Sequence, residues 1–189
     1  CYAESDDLFR WRKPMFTHCP IGSLKKSNIC FTGGSDGCRD GRVFLNPDRS
    51  DKENRFLIIY VELCGPRLAS SPDGRVWKDM PGVNPLITVN YDTHHNVIYD
   101  ADKKKYILYL RPSVFAKHES QPAEPDCPGL NYRRRITVSE SDDLVNWSIP
   151  RIVQHARETA DYDQCDHQHT FVVGGTVVGR MNRFRVKTK

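Results

Sequence analysis

The sequence repeats one short pattern, Ser-x-Asp-x-x-x-Trp, three times along its 189 residues. The tryptophans of the three copies are Trp11, Trp77 and Trp147, which lie 66 and then 70 positions apart. Self-similarity at a nearly fixed spacing indicates that one supersecondary unit recurs. The length alone allows one or two domains, but the repeat argues for a single continuous array.

Four strand-like runs fill each interval between the copies. Aromatic and β-branched residues mark these runs, and polar turn sequences such as 100–105 separate them. Short strands joined in this way predict an antiparallel meander. The predicted strands of the first interval are 42–45, 56–61, 67–70 and 76–77. Those of the second are 96–99, 106–110, 135–139 and a short one around 146–148.

The aspartate and tryptophan of each copy are predicted to be structural. In the second copy, Pro72 pre-sets one turn dihedral and Gly74 accepts the positive φ that a tight turn can require. Asp73 can cap a free backbone N–H, and Trp77 can open the outermost strand and fill the gap between neighbouring sheets. A residue type that recurs in every unit serves the unit rather than one active site.

Four-stranded antiparallel sheets that recur in this way predict an all-β fold, and specifically a fragment of a β-propeller. Because four to eight blades normally close such a ring, we expect that 189 residues cannot close it. The residue Cys1, in place of methionine, agrees with a chain that begins inside a larger protein. The predicted pieces are the end of one blade at 1–14, complete blades at 40–81 and 92–150, and the start of a fourth at 161–181.

Charge and composition exclude two classes of partner. The net charge is +4, and the basic residues are not interleaved with aromatic residues along one face, so we expect no nucleic-acid partner. The longest apolar run, 56–64, is interrupted by Glu62 and is too short to span a bilayer, so we expect no membrane partner.

The seven cysteines slightly favour an extracellular or periplasmic location, although their odd number fits no disulfide framework. They form no CxxC pair of the kind that zinc sites use. Cys165, His167 and His169 alternate on one predicted strand face, but a polar loop is the preferred interpretation of this stretch. We therefore expect neither a metal nor another cofactor.

The stretch 92–96 gathers polar chemistry directly before a predicted strand. It holds Asp92, the imidazoles of His94 and His95, and the amide of Asn96. A sugar-cleaving site needs an acid and hydrogen-bonding groups, and the start of a strand can hold both in place.

Three stretches together resemble a known group of proteins. They are Asp-Thr-His-x-Asn at 92–96, Lys-Tyr-x-x-Tyr-x-Arg at 105–111, and the run 134–150 that contains the third copy of the repeat. They resemble the five-bladed propeller proteins related to arabinanases, levansucrases and invertases. The stretch 68–74 is similar to the same group, and the resemblance covers about residues 1–155.

This resemblance implies a glycoside hydrolase with carboxylates around one axial pocket. One carboxylic acid would protonate the leaving oxygen, while a second carboxylate attacks the anomeric carbon or activates water. Asp92 is the first candidate for the base or nucleophile. Asp40 stands at the equivalent position one blade earlier, and Asp161 or Asp163 one blade later. Each can instead cap a turn, since aspartate is common ahead of strands.

The general acid has no candidate at a matching position. No glutamate stands at the start of the first predicted strand of any unit. The general acid therefore lies outside the 189 residues or is absent. Substrate binding has four candidates. His94 and Asn96 can donate to sugar hydroxyls, and Arg111 and Arg134 can hold the carboxylate of an acidic sugar or pair with local acids such as Asp142 or Asp143.

Three functions remain open at this point. The first is a glycoside hydrolase with a carbohydrate substrate, and the second is a carbohydrate-binding propeller without hydrolysis. The third is a sialidase-like propeller, because the second copy of the repeat is similar to the aspartate box of that family. That box is one residue longer, which ranks this alternative lower.

Overall fold

The structure is a computed structural model that describes residues 1–34, 37–62, 65–80, 82–84, 86–87, 95–111, 135–154 and 162–186. Throughout these ranges the chain forms β-strands, bridges and turns. Within them no helix is long and apolar enough to cross a membrane. The all-β prediction is therefore confirmed for the described residues.

The first sheet has four antiparallel strands in sequence order. β2 is buried along almost its whole length because it is a continuous apolar run, broken only at its end by Glu62. The last strand is only two residues long. The strands are β1 (Arg39–Leu45), β2 (Phe56–Glu62), β3 (Gly65–Ser71) and β4 (Lys78–Asp79).

The second sheet repeats this order. Its polar 101–104 turn joins the first two strands as the sequence predicts, and each strand pairs antiparallel with the next. The strands are β5 (Asn96–Asp100), β6 (Lys105–Leu110), β7 (Ile136–Ser141) and β8 (Arg151–Gln154).

The fourth strand of both sheets starts later than predicted. The carboxylate of Asp73 accepts the N–H of Val76, and that of Asp143 accepts the N–H of Asn146. Because these N–H groups are used inside the turn, positions 76 and 146 cannot join a ladder. In the second sheet the hydroxyl of Ser148 then bonds the backbone of Glu140, and regular pairing begins only at Arg151.

A two-stranded sheet follows, formed by β9 (Tyr162–Val173) and β10 (Thr176–Val186). The turn between them consists of Gly174 and Gly175, which have φ of 54° and 79°. Glycine accepts these values without strain and favours a two-residue hairpin turn. The predicted start of a further unit at 161–181 thus contains two paired strands.

The three copies of the repeat fold into the same turn. In each copy the serine hydroxyl accepts the N–H three residues later, at 2.8 to 2.9 Å. The aspartate carboxylate accepts the N–H groups of the residues two and three positions after it. The indole N–H of the tryptophan donates to the carbonyl three residues before it, at 3.0 to 3.1 Å. The capping role predicted for the aspartate is confirmed. The tryptophan closes the turn through its indole N–H and does not open the fourth strand, which begins after it.

Residues 1–34 contain no named strand. Isolated bridges join Glu4 to Arg12, Phe16 to Ser27 and Ile21 to Leu24. The outer strands expected at 1–14 are therefore reduced to the bridge that closes the first turn.

The main core lies between the two four-stranded sheets. Leu57, Ile59 and Leu68 face Val97 and a row of apolar side chains on β6. The opposite face of the first sheet packs against Phe31, and that of the second carries Ile98, Ile107 and Val138. The sheets thus form layers in chain order.

Candidate functional site

The first strands of the three sheets are neighbours. β1 contacts β5, and β5 contacts β9. The amide nitrogen of Asn96, the first residue of β5, donates to the carbonyl of Thr170 on β9 at 2.7 Å. The start of β5 therefore lies close to β9, which is the first strand of the next sheet. Asn96 ties the two sheets together and keeps a second N–H on the same amide nitrogen.

Asp40 lies inside β1 rather than before it. The ladder between β1 and β2 is irregular between Arg39 and Arg42, and Asp40 has φ of 48°. A bulge of this kind redirects a side chain at a strand end, and aspartate tolerates positive φ better than most residues. The Asp40 side chain is 17% exposed, and its carboxylate lies 3.6 Å from the guanidinium of Arg42.

A second carboxylate, Glu62, lies at the same end of the first sheet. Glu62 ends β2, directly beyond the position where Val61 pairs with Arg39. Its side chain is only 3% exposed. The N–H of Gly34 donates to one oxygen at 2.6 Å, and the guanidinium of Arg67 lies 3.3 Å from the other. A buried carboxylate persists only with such partners.

Arg67 links Glu62 to a polar network on β3 and β4. It lies 2.8 Å from the carboxylate of Asp79, which also accepts the hydroxyl of Tyr60 at 2.9 Å and the amide of Asn84 at 2.6 Å. Burial raises the pKa of Tyr60, with Arg67 acting in the opposite direction. The network fixes the position of the Arg67 side chain and therefore that of Glu62.

The thiol of Cys38 lies directly before β1, two residues from Asp40. Burial raises the pKa of the Cys38 thiol, and the negative charges of Asp40 and Glu62 both add to this shift. Two acids with different exposure at one strand end can divide the roles of proton donor and base.

A cavity of about 480 Å³ lies along the outer face of the first sheet, and neither Asp40 nor Glu62 is among the residues that line it. It lies between residues 1–31 and the face of the first sheet, and it reaches Cys38 and Gly41 on either side of Asp40. The rings of Tyr2, Phe31 and Trp77 line it. Its volume falls within the range of small-molecule sites.

The remaining predicted site residues are only partly described. Asp92, His94, Asp161 and Arg134 lie outside the described residues, as does the side chain of Asp163. Arg111 follows β6 directly and is buried. Their roles stay predictions.

Glu62 is the residue that sequence reasoning did not assign. A charged side chain at the end of an otherwise apolar strand was visible in the sequence as the interruption of the run 56–64. Only the fold shows that this interruption is buried beside Asp40. Among the described residues, no group of three or more His, Cys, Asp or Glu side chains could hold a metal ion.

Comparisons with known proteins add little. No family model and no curated protein matches this sequence. Among solved structures, the chain is similar to an N-acetylgalactosamine deacetylase from F. plautii in complex with blood group B trisaccharide. The similarity covers 90% of this chain and 67% of that chain, at 14% sequence identity and a TM-score of 0.37. A likeness of this size establishes neither a shared fold nor a shared activity.

Proposed function

We propose that this chain is part of a propeller-type glycoside hydrolase whose catalytic carboxylates lie along its first strands. The observation that carries this proposal is the position of two acids, Asp40 on its bulge and the buried Glu62, at one end of the first sheet. The order of the sheets supports it, since β1, β5 and β9 are consecutive neighbours.

The propeller part of the proposal uses the unit boundaries given by the repeat. The units are 1–14, 40–81, 92–150 and 161–181. In this arrangement Asp40, Asp92 and Asp161 stand at equivalent points of successive units, where rigid strands can hold them at fixed distances. Glycosidic cleavage requires this, because the separation of the two carboxyl groups decides the course of the reaction.

The roles divide as follows. Asp92 is the nucleophile or base, and Asp40 supports it from the neighbouring unit. Glu62 supplies the glutamate that no first strand provides, as the second carboxyl group of the pair. His94, Asn96, Arg111 and Arg134 contact the substrate hydroxyl or carboxylate groups. The cavity that reaches Cys38 and Gly41 receives a sugar, with Phe31 and Trp77 in its wall.

Carbohydrate binding without hydrolysis is the second candidate. It is favoured by the contacts of Glu62, whose two oxygens already have protein partners in Gly34 and Arg67. A glutamate held in this way can stabilise the strand end without touching a substrate.

The test compares Asp92→Asn, Asp40→Asn and Glu62→Gln with the control Asp102→Asn, which changes an exposed turn residue. Each amide keeps the shape of the acid but cannot act as nucleophile, base or acid. We expect Asp92→Asn to lower turnover of an aryl-glycoside panel by at least about 100-fold, with sugar binding and melting temperature nearly unchanged. The control variant keeps wild-type turnover.

Other outcomes identify the alternatives. Unchanged turnover with a lowered melting temperature assigns the residue to the fold, since a lost cap or buried hydrogen bond costs on the order of 1 kcal/mol. If the wild-type protein binds sugars but cleaves none of the panel, the binding function replaces the hydrolase.

A further inference from the structure

One buried hydroxyl joins the backbone next to two cysteines. Phe16 and Ser27 exchange both of their backbone hydrogen bonds, at 2.7 and 3.0 Å, and so close a short hairpin. The hydroxyl of Ser27 then donates to the carbonyl of Cys19 at 2.8 Å and accepts the N–H of Ile29 at 3.2 Å. Cys19 is therefore held against the residue that directly precedes Cys30.

The two thiols differ in exposure. Cys19 is buried and Cys30 is partly buried, and both are free thiols in this structure. Burial raises the pKa of the Cys19 thiol, and a negative charge on Cys30 raises it further, which agrees with the backbone geometry. A reagent in solution can reach Cys30 more easily than Cys19, so Cys30 is the thiol that reacts first.

The backbone on both sides of Cys30 is fixed. Before it, the carbonyl of Asn28 accepts a backbone N–H at 2.7 Å, and the side-chain amide of Asn28 donates to a backbone carbonyl at 3.2 Å. After it, the ring of Phe31 lies 4.9 Å from that of Tyr60, edge to face, and 5.9 Å from that of Trp77. Cys30 therefore keeps its place relative to the hairpin.

Two other cysteines compete for Cys30. Cys1 and Cys38 line the same cavity as Cys30. Cys38, however, belongs to the opposite wall, directly before β1, and its sulfur lies over Gly41, where a Cβ would be only 3.4 Å from it. No such bridging hydroxyl as that of Ser27 connects Cys38 to the hairpin among the described residues. The geometry thus favours Cys19 as the partner of Cys30.

We propose that Cys19 and Cys30 form a disulfide bond when the protein meets a small-molecule disulfide such as oxidised glutathione. The Cys30 thiolate attacks one sulfur of the reagent and releases one molecule of glutathione. The Cys19 thiolate then attacks the sulfur of Cys30 in the mixed disulfide and releases the second molecule. The two protein thiols are oxidised, the reagent is reduced to two thiols, and the protons of the protein thiols pass to the released thiolates.

The bond would close the loop 19–30 and fix the segment that carries Phe31. Because Phe31 lines the cavity on the outer face of the first sheet, the bond would stabilise one wall of that cavity. A cross-link stabilises a fold chiefly by restricting the unfolded chain. For a loop of this length, the oxidised protein should melt about 5–10 °C higher than the reduced protein.

Peptide mapping identifies the partner. The intact protein is incubated with oxidised glutathione, remaining thiols are blocked with N-ethylmaleimide, and the protein is cut with trypsin and Asp-N. These enzymes place Cys19 in peptide 13–25, Cys30 in 27–35 and Cys38 in 36–39. We expect a disulfide-linked pair of peptides 13–25 and 27–35. A link from 27–35 to 36–39 or to the peptide of Cys1 overturns the proposal, and so does a Cys30 that remains free or glutathionylated.

Serine variants provide the matched controls. Cys19→Ser should stop at the mixed disulfide, so that Cys30 retains one glutathione, whereas Cys38→Ser should form the bond as the wild-type protein does. The rise in melting temperature on oxidation should be absent in Cys19→Ser and retained in Cys38→Ser. The reverse pattern overturns the proposal. If a variant does not fold, the map of the wild-type protein still decides. The map detects a covalent bond rather than turnover, so its result does not depend on the proposed activity.

Discussion

The turns at 5–11 and 141–147 have the same sequence pattern and the same hydrogen bonds, but their side chains have different surroundings. Leu8 is 75% exposed and Leu144 is 8% exposed, although their φ values are 65° and 66°. Trp11 is 55% exposed, whereas Trp147 packs against the core between the two sheets. The serine, aspartate and indole bonds are equivalent in both turns.

This difference separates local from tertiary causes. The turn forms from contacts within seven residues and needs no sheet behind it. Whether its leucine and tryptophan stabilise the protein depends on an adjacent sheet that buries them. Substitutions at equivalent positions should therefore have unequal effects, and the inequality should follow burial rather than sequence.

The largest inequality is expected at the tryptophans. Trp147→Ala should lower the free energy of unfolding by about 3 kcal/mol, because it removes a large, partly buried ring that packs against the core, whereas Trp11→Ala should change it by less than about 0.5 kcal/mol. Urea unfolding followed by circular dichroism measures both. Equal losses would mean that the ring acts mainly within the turn.

The leucines should give changes of opposite sign. Glycine relieves a positive-φ strain of roughly 1–2 kcal/mol at either position but increases the freedom of the unfolded chain. Leu8→Gly should therefore raise stability by about 0.5 kcal/mol. Leu144→Gly should lower it by about 2 kcal/mol, since lost burial outweighs the relief. Gly74, with φ of 74° in the second copy, shows that glycine fits this turn. A loss at both positions would contradict this explanation.

Smaller effects are expected from the turn serines. Ser141→Ala removes the acceptor for the N–H of Leu144, which is buried, and should lower stability by about 1 kcal/mol. At Ser5 the N–H released on Leu8 is exposed and can bond water, so Ser5→Ala should have a smaller effect. Thermal unfolding of both variants, with Ser→Thr at each position as a control that keeps the hydroxyl, measures the difference.

The smallest expected effect concerns pH. Backbone N–H bonds, first that of Asn146, lower the pKa of Asp143, and the N–H groups of Arg10 and Phe9 do the same for Asp7. A carboxyl group with a lowered folded pKa stabilises the fold above its unfolded pKa of about 4, and this contribution is lost as pH falls through the folded value. Asp143→Asn should flatten the fall in melting temperature below about pH 4, and Asp7→Asn should not. An equal flattening would show that the first turn unfolds together with the sheets.

Four of the strands could be predicted closely from the sequence because their apolar runs and polar turns are local signals. β2, β5, β6 and β7 lie within a residue or two of their predicted bounds. The outer strands could not, because the aspartate of each turn takes an N–H that a ladder would otherwise use. Propensity alone does not show this competition between a side chain and a strand.

The candidate site was predictable only in part. The sequence predicts Asp40 ahead of a strand, and the structure instead places it on a bulge within β1. The sequence does not identify Glu62 as a site residue, because no pattern marks a glutamate that binds a distant glycine and arginine. Sequence spacing cannot identify such a group, since Gly34 is 28 positions away from it.

The sequence by itself determined the repeated turn, the antiparallel order of strands and the all-β class, because each depends on contacts between residues near one another in the chain. Tertiary structure decided which copy of the turn is buried, which strands become neighbours across sheets and which acids share the strand end at Cys38. These outcomes depend on how whole sheets stack, and burial, which sets their energy, is a property of the stack rather than of any single segment.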